Sequence, residues 1–116
     1  MAYDERLAER VRDALGGLRG LTERKMFGGI AFMLNGNMCV GVHGDELIVR
    51  VAPETHDEAV RKPGVRTFDI TGRPMQGWLL VSGAGTKGAG LASWVQRGVE
   101  FSSSMPAKKG KRKPAR

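Results

Sequence analysis

Gly83-Ala84-Gly85-Thr86-Lys87-Gly88 carries the G-x-G-x-x-G spacing that can wrap backbone N–H groups around a pyrophosphate at a helix N-terminus. An apolar run precedes it and a helical pattern follows. The rest of a dinucleotide site is missing: no second parallel strand comes after it, and no acidic residue lies about 20 residues on to hold a ribose. The spacing of a Walker loop is also absent. The segment reads as a flexible glycine-rich connector.

Cys39, His43 and His56 are the other residues with nucleophilic or metal-binding potential, one cysteine and two histidines in all. A structural zinc site takes four ligands and usually paired motifs, which this spacing does not supply. Cys39 falls on a strand with its side chain toward the core, where a thiolate is disfavoured, so it reads as a packing cysteine and not as half of a Cys–His nucleophile pair. Asp45 and Glu46 are neighbours, which in extended chain sends them to opposite faces and rules out paired acid–base work. No catalytic, cofactor-binding or metal-ligating residue is assigned, and the chain is expected not to be an enzyme and to need no cofactor.

The net charge of +7 is unevenly spread. Lys108, Lys109, Lys111, Arg112, Lys113 and Arg116 form a basic tail, and residues 1–104 hold 13 basic against 12 acidic side chains, a charge of +1. A DNA-reading domain carries its basic footprint on the folded surface. Here the footprint sits in a tail rich in Ser, Lys, Pro and Gly, which has no apolar burial to offset the entropy of ordering. The division predicted is a folded domain over 1–104 and a disordered tail over 105–116. The tail is suited to weak, non-specific contact with nucleic acid. No apolar stretch approaches the roughly 20 residues that span a bilayer, the first residues resemble no signal peptide, and a lone cysteine suits the cytoplasm.

The elements that must position any site follow from periodicity. Leu7, Val11, Leu15 and Leu18 recur at helical spacing, the helix is predicted over 4–15, and Gly16-Gly17 stops it. Asn35-Gly36 between two apolar runs is a strong hairpin signal, since both residues accept positive φ. A two-residue turn there pairs Leu34 with Asn37, Met33 with Met38, Phe32 with Cys39 and Ile30 with Gly41. A three-residue turn at His43-Gly44-Asp45 then sets Val42 against Glu46, Val40 against Ile48 and Cys39 against Val49. Alternation sorts Ile30, Phe32, Leu34, Cys39, Leu47, Val49 and Val51 onto a core face. Ala31, Met33, Met38, Val40, Val42 and Ile48 fall on a second face, with Glu46 and Arg50 at one side. That face is too apolar to be merely solvated, so another element or a partner must cover it. Thr55-His56-Asp57-Glu58 fits a capping box ahead of a short helix that stops at Pro63. Val65–Ile70 and Trp78–Val81 read as strands, and Leu91, Trp94, Val95 and Val99 as a last helix weakened by Gly98.

Three blocks in fixed order stand out: Arg24-Lys25-Met26-Phe27-Gly28-Gly29, Asn35-Gly36-Asn37-Met38, and Gly72-Arg73-Pro74-Met75-Gln76-Gly77-Trp78. With Trp94-Val95-Gln96-Arg97-Gly98-Val99 near the end, they resemble the N-terminal domain family of TfoX/Sxy competence regulators over about residues 3–105. The resemblance implies an α+β fold, an antiparallel sheet with helices packed on it, of the YgaC and secretion-chaperone-like type. It implies no catalytic residues and no cofactor. It also implies a regulatory role in DNA-uptake competence, with a protein partner in the transcription machinery. Gly28-Gly29 suits a bulge or a close approach between strands. Met26, Phe27, Met75 and Trp78 are expected to cluster, and with Met33, Met38 and Val40 they form the candidate packing or protein-binding set. A homodimer is compatible with an apolar second face.

Overall fold

The computed structural model describes residues 3–26, 28–69 and 75–104, Met26 by its backbone alone. Phe27 and the tail cations Lys108, Lys109, Lys111, Arg112, Lys113 and Arg116 lie outside the described residues, as does the side chain of Met26.

Helix α1 (Glu5–Leu15) begins where the Asp4 carboxylate accepts hydrogen bonds from the backbone N–H groups of Arg6 and Leu7, and it ends at Gly16 with φ 64°. Leu7, Ala8, Val11 and Leu15 form its buried stripe. Leu18 lies beyond the glycine stop and is 37 % exposed, so it does not extend the stripe as its spacing predicts.

Strands β1 (Leu21–Met26), β2 (Gly29–Leu34), β3 (Asn37–His43), β4 (Glu46–Arg50), β5 (Val65–Thr67) and β6 (Trp78–Val81) form one antiparallel sheet in the order β1-β2-β3-β4-β6-β5. The fold is α+β, with α1 and the last helix α4 (Ala89–Ser103) packed on one face. Strand β1 has no counterpart in the sequence reading, because its Thr22-Glu23-Arg24-Lys25 stretch is exposed and polar.

The register departs from simple alternation at two places. Asn35 and Gly36 both adopt positive φ, and Leu34 pairs with Asn37 and Met33 with Met38 as expected. Phe32 then pairs with Val40, not Cys39, and Ile30 with Val42, not Gly41. Cys39 is an extra residue, a bulge, and one extra residue reverses the facing of all that follow. The β3–β4 turn is Gly44-Asp45, one residue shorter than expected, so His43 faces Glu46, Val42 faces Leu47 and Val40 faces Val49. The two departures compensate, and β4 keeps its predicted facing. Val40 and Val42 do change sides: both are 0 % exposed in the main core with Phe32, Cys39, Leu47 and Val49.

Helix α4 approaches the bulge closely because residue 98 has no side chain. A Cβ there would sit 2.6 Å from the Cys39 carbonyl oxygen and 2.7 Å from Val40 Cγ1. Gly98 is thus a packing requirement, where helix propensity alone reads it as a weakness. The glycine-rich segment is likewise packed, in place of the expected flexible connector. Residues Gly83–Thr86 form a short helix α3, Gly85 and Thr86 are buried, and Arg10 donates to the Thr86 carbonyl across 2.7 Å. Gly29 is buried with its α-carbon against the Val42 carbonyl, the close strand approach anticipated for the Gly28-Gly29 pair.

Helix α2 (His56–Val60) follows a 3-10 turn at Pro53–Thr55. The expected capping box does not form. The Thr55 hydroxyl donates back to the Ala52 carbonyl at 2.8 Å, and Glu58 pairs outward with Arg97 and Lys62. The preceding 3-10 turn already gives Thr55 a near-helical ψ of 2°, unlike the extended conformation a capping threonine adopts.

Candidate functional site

The sheet face away from α1 and α4 gathers Ala31 from β2, Met38 from β3, Ile48 from β4 and Leu80 from β6 under Phe68, all 5 % exposed or less. Met33, Met75 and Trp78 pack around this cluster and stay partly exposed. Gly41 lies beneath Met38, whose methyl carbon would be 2.9 Å from a Cβ placed there. The same Cβ would lie 2.7 Å from the Ile30 carbonyl oxygen, and it is this backbone approach of β2 that requires a glycine.

The covering side chains are held by backbone bonds. Phe68 N–H donates to the Trp78 carbonyl at 2.9 Å, Met75 N–H to the Phe68 carbonyl at 3.1 Å, and Trp78 N–H to the Met75 carbonyl at 3.1 Å. Gly77 supplies the φ of 85° that this turn needs, and its carbonyl accepts from Val51 N–H at 2.8 Å. Its own N–H donates to Nδ1 of buried His56 at 2.8 Å. A neutral ring accepting at Nδ1 carries its proton on Nε2, which lies 3.0 Å from the Thr67 hydroxyl. His56 thereby holds the Met75–Trp78 turn through Nδ1 and strand β5 through Nε2, and neither nitrogen is left to ligate a metal.

At one end of this face the Arg50 guanidinium lies 4.9 Å from the centroid of the Trp78 ring and 5.4 Å from that of Phe101 on α4. Trp78 also meets Phe68, ring centroids 6.0 Å apart. Arg50 thus joins the end of α4 to the covering turn by cation–π contact. Burial pushes its pKa below the usual arginine value. The sequence places Arg50 beside the second face; the reach of Phe101 around the sheet end follows from the α4 packing and has no sequence signal.

The reactive side chains are engaged elsewhere. Burial holds the Cys39 thiol protonated, its pKa pushed up to about 11. Glu46 binds Arg66 through both carboxylate oxygens, at 2.8 and 3.2 Å. An open hollow of about 270 Å³ lies between the Ala52–Thr55 turn and the end of α4, floored by Val51 and Phe101. Its charged rim includes Arg97, already paired with Glu58 at 3.2 Å. Among the described residues no three His, Cys, Asp or Glu side chains gather as metal ligands.

Of the candidate set, Met33, Met38, Met75 and Trp78 come together on one face, Met38 as a buried member and the others at its edge. Val40 belongs to the opposite core, for the bulge reason given above. Phe68, the centre of the cover, was not singled out in the sequence, since its Val65–Ile70 run reads only as a strand.

The family model described as the TfoX N-terminal domain matches residues 13–102. No curated protein matches the chain, and no solved structure does.

Proposed function

The chain belongs to the TfoX N-terminal domain family, and from that membership we propose that it is a regulatory domain acting through protein contact and not through catalysis. The observation that carries this reading is the half-exposed edge of Met33, Met75 and Trp78 around the buried second-face cluster. Met, Trp and Arg are over-represented in protein interfaces, and adaptable methionines suit a surface that must fit another chain. By resemblance to TfoX/Sxy regulators, the regulated process is competence for DNA uptake and the partner belongs to the cytoplasmic transcription machinery. Among the described residues no helix is long and apolar enough to cross a membrane.

The test is affinity capture from nuclease-treated lysate with the full chain, Met33→Glu, Met75→Glu and, as a control away from this face, Leu18→Glu. A partner retained by the wild type and Leu18→Glu but lost by both methionine variants supports the reading. Equal capture by all four chains refutes it.

A second reading rests on the six cations after Ser104. A run of cations contacts phosphates without reading bases, so it would give nucleic-acid affinity that is weak, sequence-independent and steeply lost with salt.

A further inference from the structure

Among the described residues, the arginines that leave bulk solvent take a partner, with one exception. Arg12 binds Glu9 and Glu23, Arg97 binds Glu58, and the more exposed Arg66 binds Glu46 and Asp69. Arg50 is half-buried over Trp78 and Phe101, and among the described residues no carboxylate or carbonyl pairs with it. The segments outside the described residues cannot supply an acidic side chain. All 12 Asp and Glu residues lie within 3–26, 28–69 and 75–104.

A partly desolvated charge with no counter-ion destabilises the free protein relative to one that is paired. Its geometry is favourable for a ligand all the same. Two aromatic rings hold the guanidinium, so a planar fork with five donors is oriented before anything binds, and less rotamer entropy is lost on binding. Trp78 beside it is partly exposed, and Met33 and Met75 are the other partly exposed apolar side chains on the rim of the same second-face cluster. The composition is one oriented cation beside an apolar rim, with the folded body near charge neutrality.

Resting on the protein-contact reading above, we propose that Arg50 is the anchor of the interface and receives a carboxylate from an acidic–apolar segment of the partner polypeptide. The carboxylate engages the guanidinium fork, and flanking apolar side chains cover Met33, Met75 and Trp78. A phosphate would satisfy the same fork, but nucleic acid tracks a row of free cations. Of the other arginines the register puts on this face, Arg66 is already paired with Glu46 and Asp69, while Arg24 lies across the sheet on edge strand β1. The acidic peptide is the occupant these surroundings favour.

The test selects binders to the full 116-residue chain from a phage-displayed random dodecapeptide library, at raised salt to suppress contact with the basic tail. Recovered peptides are titrated against wild type, Arg50→Lys, Arg50→Gln and Met75→Glu, and a fluorescein-labelled DNA duplex is titrated against the same set. The expected result is a Glu or Asp amid apolar residues in the recovered peptides. Arg50→Gln should weaken them about 30-fold, Arg50→Lys less, with the melting temperature of Arg50→Gln equal to or above that of wild type. Replacing the peptide carboxylate by its amide should remove the difference between wild type and Arg50→Gln. Peptides that lack an acid, or bind Arg50→Gln unchanged yet lose Met75→Glu, overturn the anchor and leave the protein-contact reading standing. Peptides indifferent to all the variants overturn both. A duplex affinity that falls with Arg50→Gln while peptide binding does not would assign the site to nucleic acid. A lowered melting temperature in both Arg50 variants, with peptide affinity unchanged, would make the arginine structural.

Discussion

The Ser102 hydroxyl, buried on α4, donates to the Met38 carbonyl on β3 across 3.1 Å. Met38 immediately precedes the bulged Cys39, where the β2–β3 ladder is interrupted, so a helix side chain serves an acceptor beside the irregularity. Ser102→Ala removes the donor and leaves a buried carbonyl without it. The expected loss is about 1–2 kcal/mol of unfolding free energy, measured by urea denaturation. The same substitution at exposed Ser103 should change stability by less than about 0.5 kcal/mol.

Gly98→Ala sets two effects against each other. Helix propensity favours the alanine by about 1 kcal/mol. The new methyl would meet the Cys39 carbonyl at 2.6 Å and Val40 Cγ1 at 2.7 Å, and overpacking of that kind costs roughly 1–3 kcal/mol. A backbone carbonyl in a strand cannot swing aside, so the steric effect wins and the variant should melt below wild type. Gly83→Ala meets nothing within 4 Å and should leave the melting temperature unchanged or raise it.

Cys39 should resist thiol reagents in the native protein and react at the rate of unfolding. It is 0 % exposed, and its pKa lies above the ordinary 9.0, near 11. A raised acid pKa means the folded state holds its proton longer than the unfolded state does. The stability attached to the neutral thiol is therefore full below pH 9 and falls as the pH climbs toward 11. Fast labelling at neutral pH, without denaturant, would contradict this burial.

Arg12 reaches Glu23 with two bonds of 2.7 and 3.0 Å, joining α1 to the edge strand β1. The hydrogen bond from Arg12 lowers the Glu23 pKa below the usual carboxylate value. A lowered pKa contributes stability above the unfolded value and loses it as the pH falls through the folded one, so the pair's contribution disappears in acid. Both side chains are over a third exposed, and screening limits Glu23→Gln to a loss of about 0.5–1 kcal/mol at neutral pH. The difference between variant and wild type should close below the native Glu23 titration.

The sequence carries the fold class and the Asn35-Gly36 hairpin clearly, since a two-residue turn with two positive-φ residues has few alternatives. It also groups Met33 with Met38 and places Arg50 by the second face. It does not carry the Cys39 bulge. Alternation is a local rule, whereas the extra residue is accommodated by α4, through Gly98 and Ser102 from a distant part of the chain. Val40 was misplaced for that reason alone. The true role of His56 was equally hidden, because its partners Gly77 and Thr67 become neighbours only when the sheet closes.

Strand order has a kinetic consequence. Strands β1 to β4 are consecutive in both sequence and sheet, joined by short turns that close quickly, whereas β6 inserts between β4 and β5 and pairs with both. The turn carrying Met75 and Trp78 therefore belongs to the late-assembling part of the sheet. In the native protein its amides, with those of β5 and β6, should exchange hydrogen through sub-global openings that leave the β2–β3 amides protected. The surface offered to a partner would then be drawn from the least protected cooperative unit of the chain, and partner binding should slow exchange there first.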